Sequence, residues 1–540
     1  MSKTSPLTLD EFPSPSYADW KKEAEATLDG APFEKKLVTR TFEGIDIQPI
    51  YRKEDLESLT HLGSLPGEAP YVRGARTVNT WEYFDHEMCE KGGPLTEPLA
   101  RVLAGVQEKP LDEAFDELAK VEGRDSIAVN TQFYHVGGAV QELAFGLATG
   151  VEYLRQAEKR GVSVDQTARK MTFVLAMGSD FFMGIAKLRA ARLLWSKVVS
   201  ACGGDAESQK LRILARTSKW NQSKLDPYVN MLRNTTEAFS AVAGGADVLW
   251  VRPFDEVVRT PDDFSTRIAR NTQLILAEEC HFDHVVDPGG GSYYVETLTA
   301  QLANAAWSLF QQVEKLGGMV KALEAGFPQG QVKAVAAKKA EAVAQRRLSL
   351  IGVNVYANPT EKPLEASKDE PCKCGCGHGE SKGNHPSLAH IETLQCMRGA
   401  QPFEKLRATV SASDKKKVFL ANMGPLRQHK PRADFSTGFF QPGGYEVLEN
   451  RGFQTVDEAA AAALASGASV AVLCSTDDTY PEIVPALVPK LKAAGLFVVL
   501  AGYPTEHIDA FKAAGVDEFI HLRANCFQVL SGIATKLGIL

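Results

Sequence analysis

The chain has 540 residues, 44% of them hydrophobic and 24% charged, enough for roughly three to four domains with ordinary globular cores. Lys and Arg total 60 against 67 Asp and Glu, and the resulting net charge of −7 argues against a general affinity for nucleic acid or an anionic membrane surface. No apolar run approaches the roughly 18 residues that span a bilayer. Nine cysteines, six of them scattered singly, fit reduced cytosolic thiols better than a disulfide framework.

The chain opens on an arm. Residues 1–70 alternate proline-bearing loops (PSPS, LPGEAP) with short helical pieces such as Tyr17 to Leu28. The N-terminal run MSKTSPLTLDEFPSPSYADW carries acidic residues and prolines where a signal or transit peptide would need an apolar or arginine-rich segment. The aromatic and aliphatic residues of FEKKLVTRTFEGIDIQPIY favour an arm docked on another surface, such as a partner chain, over a solvated tail.

From Tyr71 to Asn354, strand-like runs alternate with long amphipathic helices. Ile127 to Phe133 is followed by a helix through AVQELAFGLATGVEYLRQAEKRG, and Phe173 to Met177 by one through FFMGIAKLRAARLLWSKVVSACGG. Lys187, Arg189 and Arg192 on that second helix read as surface residues making ion pairs. Leu211 to Thr217 precedes a helix through YVNMLRNTTEAFSAVAGG. Next, a strand from Ala246 to Val251 leads through a polar loop to a helix that Asp262 or Asp263 can cap. Phe264, Ile268, Thr272 and Ile275 share one face of it. A further strand-like run, His284 to Asp287, enters the turn PGGGS, which carries no Lys and reads as a tight loop rather than a phosphate cradle. These repeats predict a (β/α)8 TIM barrel over 71–354, with its active site at the carboxyl ends of the strands. Trp250 stands at that place after Leu249, and an indole fills space more often than it reacts.

Residues 355–415 break the pattern and read as a polar linker. Within it CKCGCGH offers Cys372, Cys374, Cys376 and His378, a soft donor set for zinc or copper(I) that His385, His390 and Cys396 would complete only by an accident of folding. The Cys-x-Cys spacing and glycine-rich setting favour a flexible insertion without metal. From Lys416 the alternation resumes through KVFLANMG, SVAVLCS, LFVVLAG and DEFIHL. Residues 416–540 are therefore expected to form a doubly wound α/β domain of the flavodoxin type, which places ligands at its strands' carboxyl ends.

FFMGIAKLRAARLLW, DDFSTRIARNTQLIL, VVDPGGGSYYVETLT and VEKLGGMVKALEAGFP resemble barrel segments of the methylmalonyl-CoA mutase family, and the order of barrel, linker and small domain is similar too. The resemblance covers nearly everything from Tyr71 onward except the cysteine-bearing linker. It implies adenosylcobalamin chemistry. Active members hold the cofactor through an Asp-x-His-x-x-Gly loop after the first strand of the small domain. The His ligates cobalt, the Asp orients the imidazole, and the Gly lets the loop pass close to the corrin. The matching loop here is MGPLRQHKPRADF, with Leu426, Gln428 and Pro431 at those three positions. His429 is one residue out of register and reads as a surface loop histidine. Asp477 and Asp478 follow Ser475, and AGYP replaces a Gly-Gly turn. Two carboxylates facing a buried corrin tail would be costly to desolvate.

In the barrel, active members follow an Arg-Thr pair with His-Ser-Gln, which holds the acyl group, and place a His after the next strand's Leu. Here Arg216 and Thr217 precede Ser218, Lys219 and Trp220, Leu249 precedes Trp250, and the family's early tyrosine has no counterpart in YVRGARTVNTWEYF. Tyr134 and His135 match a stretch lining the substrate hollow, but without its catalytic neighbours His135 reads as a satisfied core histidine. Two indoles at strand ends would plug such a hollow. GPLRQHKPRADFSTGFFQPGGYEV and YVRGAR are similar to the small, non-catalytic subunit of the family's heterodimeric enzymes. The resemblance therefore implies a cytoplasmic structural subunit with no catalytic, cofactor-binding or metal-binding residue of its own. Its large partner subunit would bind adenosylcobalamin and interconvert succinyl-CoA and (R)-methylmalonyl-CoA, and its arm would wrap that partner through an apolar interface. Two other readings stay open: a competent acyl-CoA mutase of altered specificity that recruits His429 to cobalt, and a thiol-rich metal-handling scaffold.

Overall fold

The computed structural model describes residues 15–84, 96–122, 126–365 and 383–540. The CKCGCGH motif lies outside the described residues. Two parallel sheets organise the chain, with a two-stranded hairpin, β1 (Thr39–Arg40) and β2 (Asp46–Ile47), ahead of them. The first sheet contains β3 (Glu82–Phe84), β4 (Ile127–Asn130), β5 (Met171–Met177), β6 (Ile213–Thr217) and β7 (Val248–Trp250), in the order β3-β7-β6-β5-β4. The second contains β8 (Lys417–Asn422), β9 (Glu446–Leu448), β10 (Val470–Cys474), β11 (Phe497–Ala501) and β12 (Glu518–Ile520), in the order β9-β8-β10-β11-β12.

The four strand–helix repeats expected between 127 and 275 are present in parallel register, as where Leu175 stands opposite Ala215 and Leu214 opposite Val248. The expected closure into eight strands is not formed by the described residues: β3 and β4 are edges, and Thr96 adds one parallel bridge beyond β4. One missing strand has a local cause. The run from His284 to Asp287 follows a left-handed His281 and starts inside a 3-10 turn, Phe282–His284, so its backbone is never extended long enough to pair. The sheet's inner face is nonetheless filled, because Ala128, Val174, Leu214, Val248 and Trp250 form one apolar cluster against Phe84.

The helix Phe181–Ala201 corrects a second expectation. Lys187, Arg189 and Arg192 are 3%, 0% and 1% exposed. Lys187 Nζ pairs with Glu142 Oε2 at 2.6 Å, and Arg189 bridges Asp287 and Glu296. Arg192 donates to the carbonyl oxygens of Tyr71, Val72, Gly244 and Gly245. This helix is apolar on nearly all sides, which is the pattern of a fully buried helix, and its charged groups persist there because each finds a partner. On the helix Asp263–Leu274, Asp262 is the cap, accepting from Ser265 N at 2.8 Å. The buried face is Ser265, Ala269 and Gln273, whereas Phe264 and Ile275 are exposed. Ser265 and Ala269 are small and allow the close approach there.

The arm docks on its own chain. Ile45 and Leu56 are buried, Ala139 N donates to Glu43 Oε1 at 3.3 Å, and the Tyr51 ring lies 5.0 Å from that of Tyr294. His61 Nε2 meets Glu296 Oε2 at 2.8 Å. The helix Tyr17–Ala26, closed by a capping box between Ser16 and Asp19, buries no residue. The described part of the expected linker is also packed: Leu388, Ile391 and Leu394 join the first core, and Leu394 N donates to Leu103 O at 2.9 Å. Their spacing of three puts them on one side of an irregular strap.

In the second sheet, alternation sends Val418, Leu420, Val470 and Val472 to one face and Phe419, Ala421, Ala471 and Leu473 to the other. Helices Leu426–Phe440 and Cys526–Lys536 cover the first face, and Val456–Ala465 and Tyr480–Ala493 the second. The strand order reverses beside β8, so the ligand-bearing crevice of such a sheet falls at the carboxyl ends of β8 and β10.

Candidate functional site

Two places qualify by topology: the carboxyl ends of β4–β7, and the crevice beside β8. At the first, the turn after β4 sets His135 between two partners. Its Nδ1 lies 3.1 Å from Glu142 Oε2 and its Nε2 2.8 Å from Ser218 Oγ, as expected for a satisfied histidine. Burial pushes the His135 pKa down, against the opposing pull of Glu142. Glu142 itself is fully buried, yet Lys187 and His135 outweigh that burial and hold its carboxyl at about 2. Its remaining capacity is taken by Ala176 N at 2.7 Å and Thr131 Oγ1 at 2.8 Å. A carboxylate with four donors is committed to structure and has little to offer a substrate.

Beyond β6 and β7 the indoles occupy the space expected of them. The Trp250 ring lies 5.2 Å from Phe84, with the Arg216 and Arg252 guanidinium groups over it at 5.1 Å and 5.6 Å. Arg216 also donates to Gln132 Oε1 at 2.7 Å, and burial brings its pKa down to about 10. The cavity among Gln132, Arg216, Lys219, Trp220 and Cys396 measures about 20 Å³, room for about one water. Burial lowers Lys219 to about 8. A larger cavity of about 260 Å³ lies on the other side of Trp220, between the arm hairpin and Lys187, Lys339 and Asp180. Trp220 and His135 line both cavities, so the indole stands as a partition where a continuous hollow would run.

At the second place, the chain leaves β8 through Gly424 and enters the helix Leu426–Phe440 directly. Leu426 is 65% exposed. Gln428 folds back so that its amide oxygen covers Gly424. His429 was expected on the surface and is buried at 2%. Its Nδ1 lies 2.9 Å from Gly424 O, and a Cβ on Gly452 would meet its Cε1 at 2.6 Å and Nε2 at 3.1 Å. The reason is helical geometry: three residues beyond the helix start, His429 turns inward, and only a glycine opposite leaves it room. Asp477 is solvent-facing, paired with Arg432 at 3.0 Å. Tyr480, fully buried, donates to Ala501 O at 2.7 Å and accepts from Ser475 N at 3.1 Å, tying the ends of β10 and β11 together.

Residues 117–375 match the family model described as methylmalonyl-CoA mutase. Over its whole length the chain is 34% identical to the entire methylmalonyl-CoA mutase small subunit of Porphyromonas gingivalis (strain ATCC BAA-308 / W83). The chain belongs to the methylmalonyl-CoA mutase family. It is also 38% identical to the small subunit of Streptomyces virginiae, over 77% of this chain and 65% of that one. With the small subunit of Propionibacterium freudenreichii subsp. shermanii it shares 31% identity across 91% and 90% of the two chains. The aligned span with the Porphyromonas subunit is 632 positions against 540 residues here, so that relative carries stretches without a counterpart in this chain.

The methylmalonyl-CoA mutase family is one of isomerases known for their dependence on cobalamin. The residues of the β8 loop do not fit a cobalt ligand set. The only histidine in that loop is enclosed, with one ring nitrogen on a backbone carbonyl and the other against Gly452, and the helix begins where a corrin-binding loop would need to stay open. Three features of the structure are not anticipated by the sequence pattern. These are the Glu142–Lys187 pair, the Arg189 cluster, and a trio of His281, Asp283 and His284 whose ligand atoms lie within 4.8 Å of one another. The spacing His-x-Asp-His after a cysteine was the available signal for the last.

Proposed function

We propose that this chain is the small structural subunit of a heterodimeric, cytoplasmic, adenosylcobalamin-dependent methylmalonyl-CoA mutase, in which the large partner subunit carries the cofactor and interconverts succinyl-CoA and (R)-methylmalonyl-CoA. On this reading residues 71–354 are an opened, five-stranded derivative of the (β/α)8 barrel, and residues 416–540 are a flavodoxin-like domain that has given up its ligand. Residues 1–70 form the arm and 355–415 the connecting strap. The observation that carries the reading is the enclosed His429, supported by the Trp220 partition of the barrel mouth. The helix Tyr17–Ala26, with no buried residue of its own, is the part of the arm left to meet the partner. The competing active-mutase reading needs His429 to reach cobalt, and its packing against Gly452 weighs against that.

The test is reconstitution. The purified chain, a large mutase chain, and the two co-expressed are each assayed for conversion of methylmalonyl-CoA with added adenosylcobalamin. Activity confined to mixtures containing the large chain, and raised when this chain is present, is the expected result. Turnover by this chain alone would reject the proposal.

A further inference from the structure

The helix Asp263–Leu274 does not end in a regular cap. It passes into a π turn, Ile275–Glu279, then Cys280, a left-handed His281 (φ 55, ψ 36) and the 3-10 turn Phe282–His284. A π turn within a helix is rare and concentrates at functional sites, and a left-handed histidine is strained and persists only where its surroundings hold it. Here the surroundings do so through Phe282. Its ring lies 4.3 Å from that of Phe239, and its carbonyl oxygen accepts from Asn79 Nδ2 at 2.6 Å. His281 N bonds Ala277 O at 3.2 Å, and His284 N bonds His281 O at 3.2 Å.

With Phe282 pinned inward, the residues around it converge. One ligand atom each from His281, Asp283 and His284 lies within 4.8 Å of the other two. The two imidazole rings stack with centroids 4.7 Å apart and planes inclined by 17°. Asp283 Oδ1 is buried and accepts no hydrogen bond, although a buried carboxylate oxygen normally finds a donor. His284 Nε2 is its nearest ion-pair contact, at 3.7 Å, too long for a hydrogen bond. Once the two rings turn out of the stack so that their in-plane nitrogen lone pairs meet at one point, a single cation would satisfy that oxygen and both ring nitrogens together.

We propose that His281, Asp283 and His284 bind a borderline divalent cation, Zn²⁺ or a neighbouring first-row ion such as Ni²⁺. Two imidazoles with one carboxylate suit such ions, whereas Ca²⁺ and Mg²⁺ prefer all-oxygen shells. Three protein ligands leave one tetrahedral position for water. Zinc bonds of ~2.0–2.1 Å set donors about 3.4 Å apart, a contraction that side-chain rotation achieves while the backbone stays where Phe282 and Asn79 hold it. His281 and His284 are exposed, which gives the ion its entry path. The three ligands come from the single turn 281–284. The effect of the site is to fix the junction between the helix Asp263–Leu274 and the turn that carries Asp287.

The experiment uses the full chain with Cys372, Cys374 and Cys376 replaced by Ser, so that the linker thiols cannot bind the probe. Calorimetric titration with Zn²⁺ is expected to show one equivalent bound, with no comparable binding of Mg²⁺. His281→Asn, chosen because Asn tolerates the left-handed conformation, and His284→Gln should each weaken Zn²⁺ binding by about tenfold or more, with unchanged far-UV circular dichroism. Asp283→Asn provides a third variant if either histidine change disturbs folding. The parent's failure to bind Zn²⁺, or binding that survives His281→Asn and His284→Gln together, would overturn the site.

Discussion

Replacing Arg189 by Met removes the buried guanidinium that stands between Asp287 and Glu296. Burial alone would raise the pKa of Glu296. The hydrogen bond from His61 and the charge of Arg189 reverse this and hold it at about 2, against 4.5 for the free side chain. That gap, about 3 kcal/mol, is shared by His61, Arg189 and the Gly291 N–H, and the loss expected for removing one partner of a buried ion pair is roughly 3–5 kcal/mol. Because the folded pKa is depressed, this stability is present above about pH 4.5 and is lost as pH falls toward 2. In the variant the carboxyl titrates nearer its free value, so the acid limb flattens as the stability at neutral pH drops. All six tryptophans lie between Trp20 and Trp307, and Trp220 also packs against the second core, so urea unfolding followed by tryptophan fluorescence reports mainly on the arm and first sheet. The expected result is a loss of about 3–5 kcal/mol at pH 7 and a shallower decline between pH 5 and 3. A loss under about 1 kcal/mol with the acid limb intact would refute the reasoning.

Lys187→Met leaves Glu142 charged and buried, and is expected to cost about 3–5 kcal/mol in the same assay; adding Glu142→Gln should restore part of it, since the stranded charge is then gone. Burial pushes the Glu237 carboxyl up to about 8. Its raised folded pKa means stability that is complete below about pH 4.5 and declines as pH rises through 8. Melting temperatures across that range should fall in the parent and stay flatter in Glu237→Gln. Gly452→Ala adds a Cβ at a left-handed φ of 89 against the His429 ring, and should destabilise the second sheet by about 1–3 kcal/mol. Far-UV circular dichroism of the melt checks it, with partial rescue expected from His429→Ala.

What could be read from the residues, and what could not, divides by the range of the interaction. β4, β5, β6 and β7 are apolar runs bounded by glycine and polar residues, and each precedes a helix with its own period, so their existence follows from local pattern. The same holds for β8, β10, β11 and β12. β9 carries no such signal, because EVL is too short to mark a strand. Closure depends on strands that do not form among the described residues, and nothing in His284 to Asp287 taken alone reveals that His281 before it is left-handed. The pairing of Lys187 and Arg189 is not legible locally, because their partners, Glu142, Asp287 and Glu296, are 45 to 107 positions away in sequence. An all-round apolar helix was the local sign that they had to be inside. His429 was misjudged for a different reason: a loop was assumed after β8, and once the helix starts at Leu426 its period turns that ring inward.

The most direct test of the central claim is a spectroscopic titration of the isolated chain with adenosylcobalamin, set beside the corrin content of the co-purified pair. The account predicts no base-off, histidine-ligated spectrum and no retained corrin in the isolated chain. The pair should carry one corrin, lost when the large chain's own cobalt-ligating histidine is replaced and retained in His429→Ala of this chain. Stoichiometric corrin on the isolated chain, removed by His429→Ala, would contradict it.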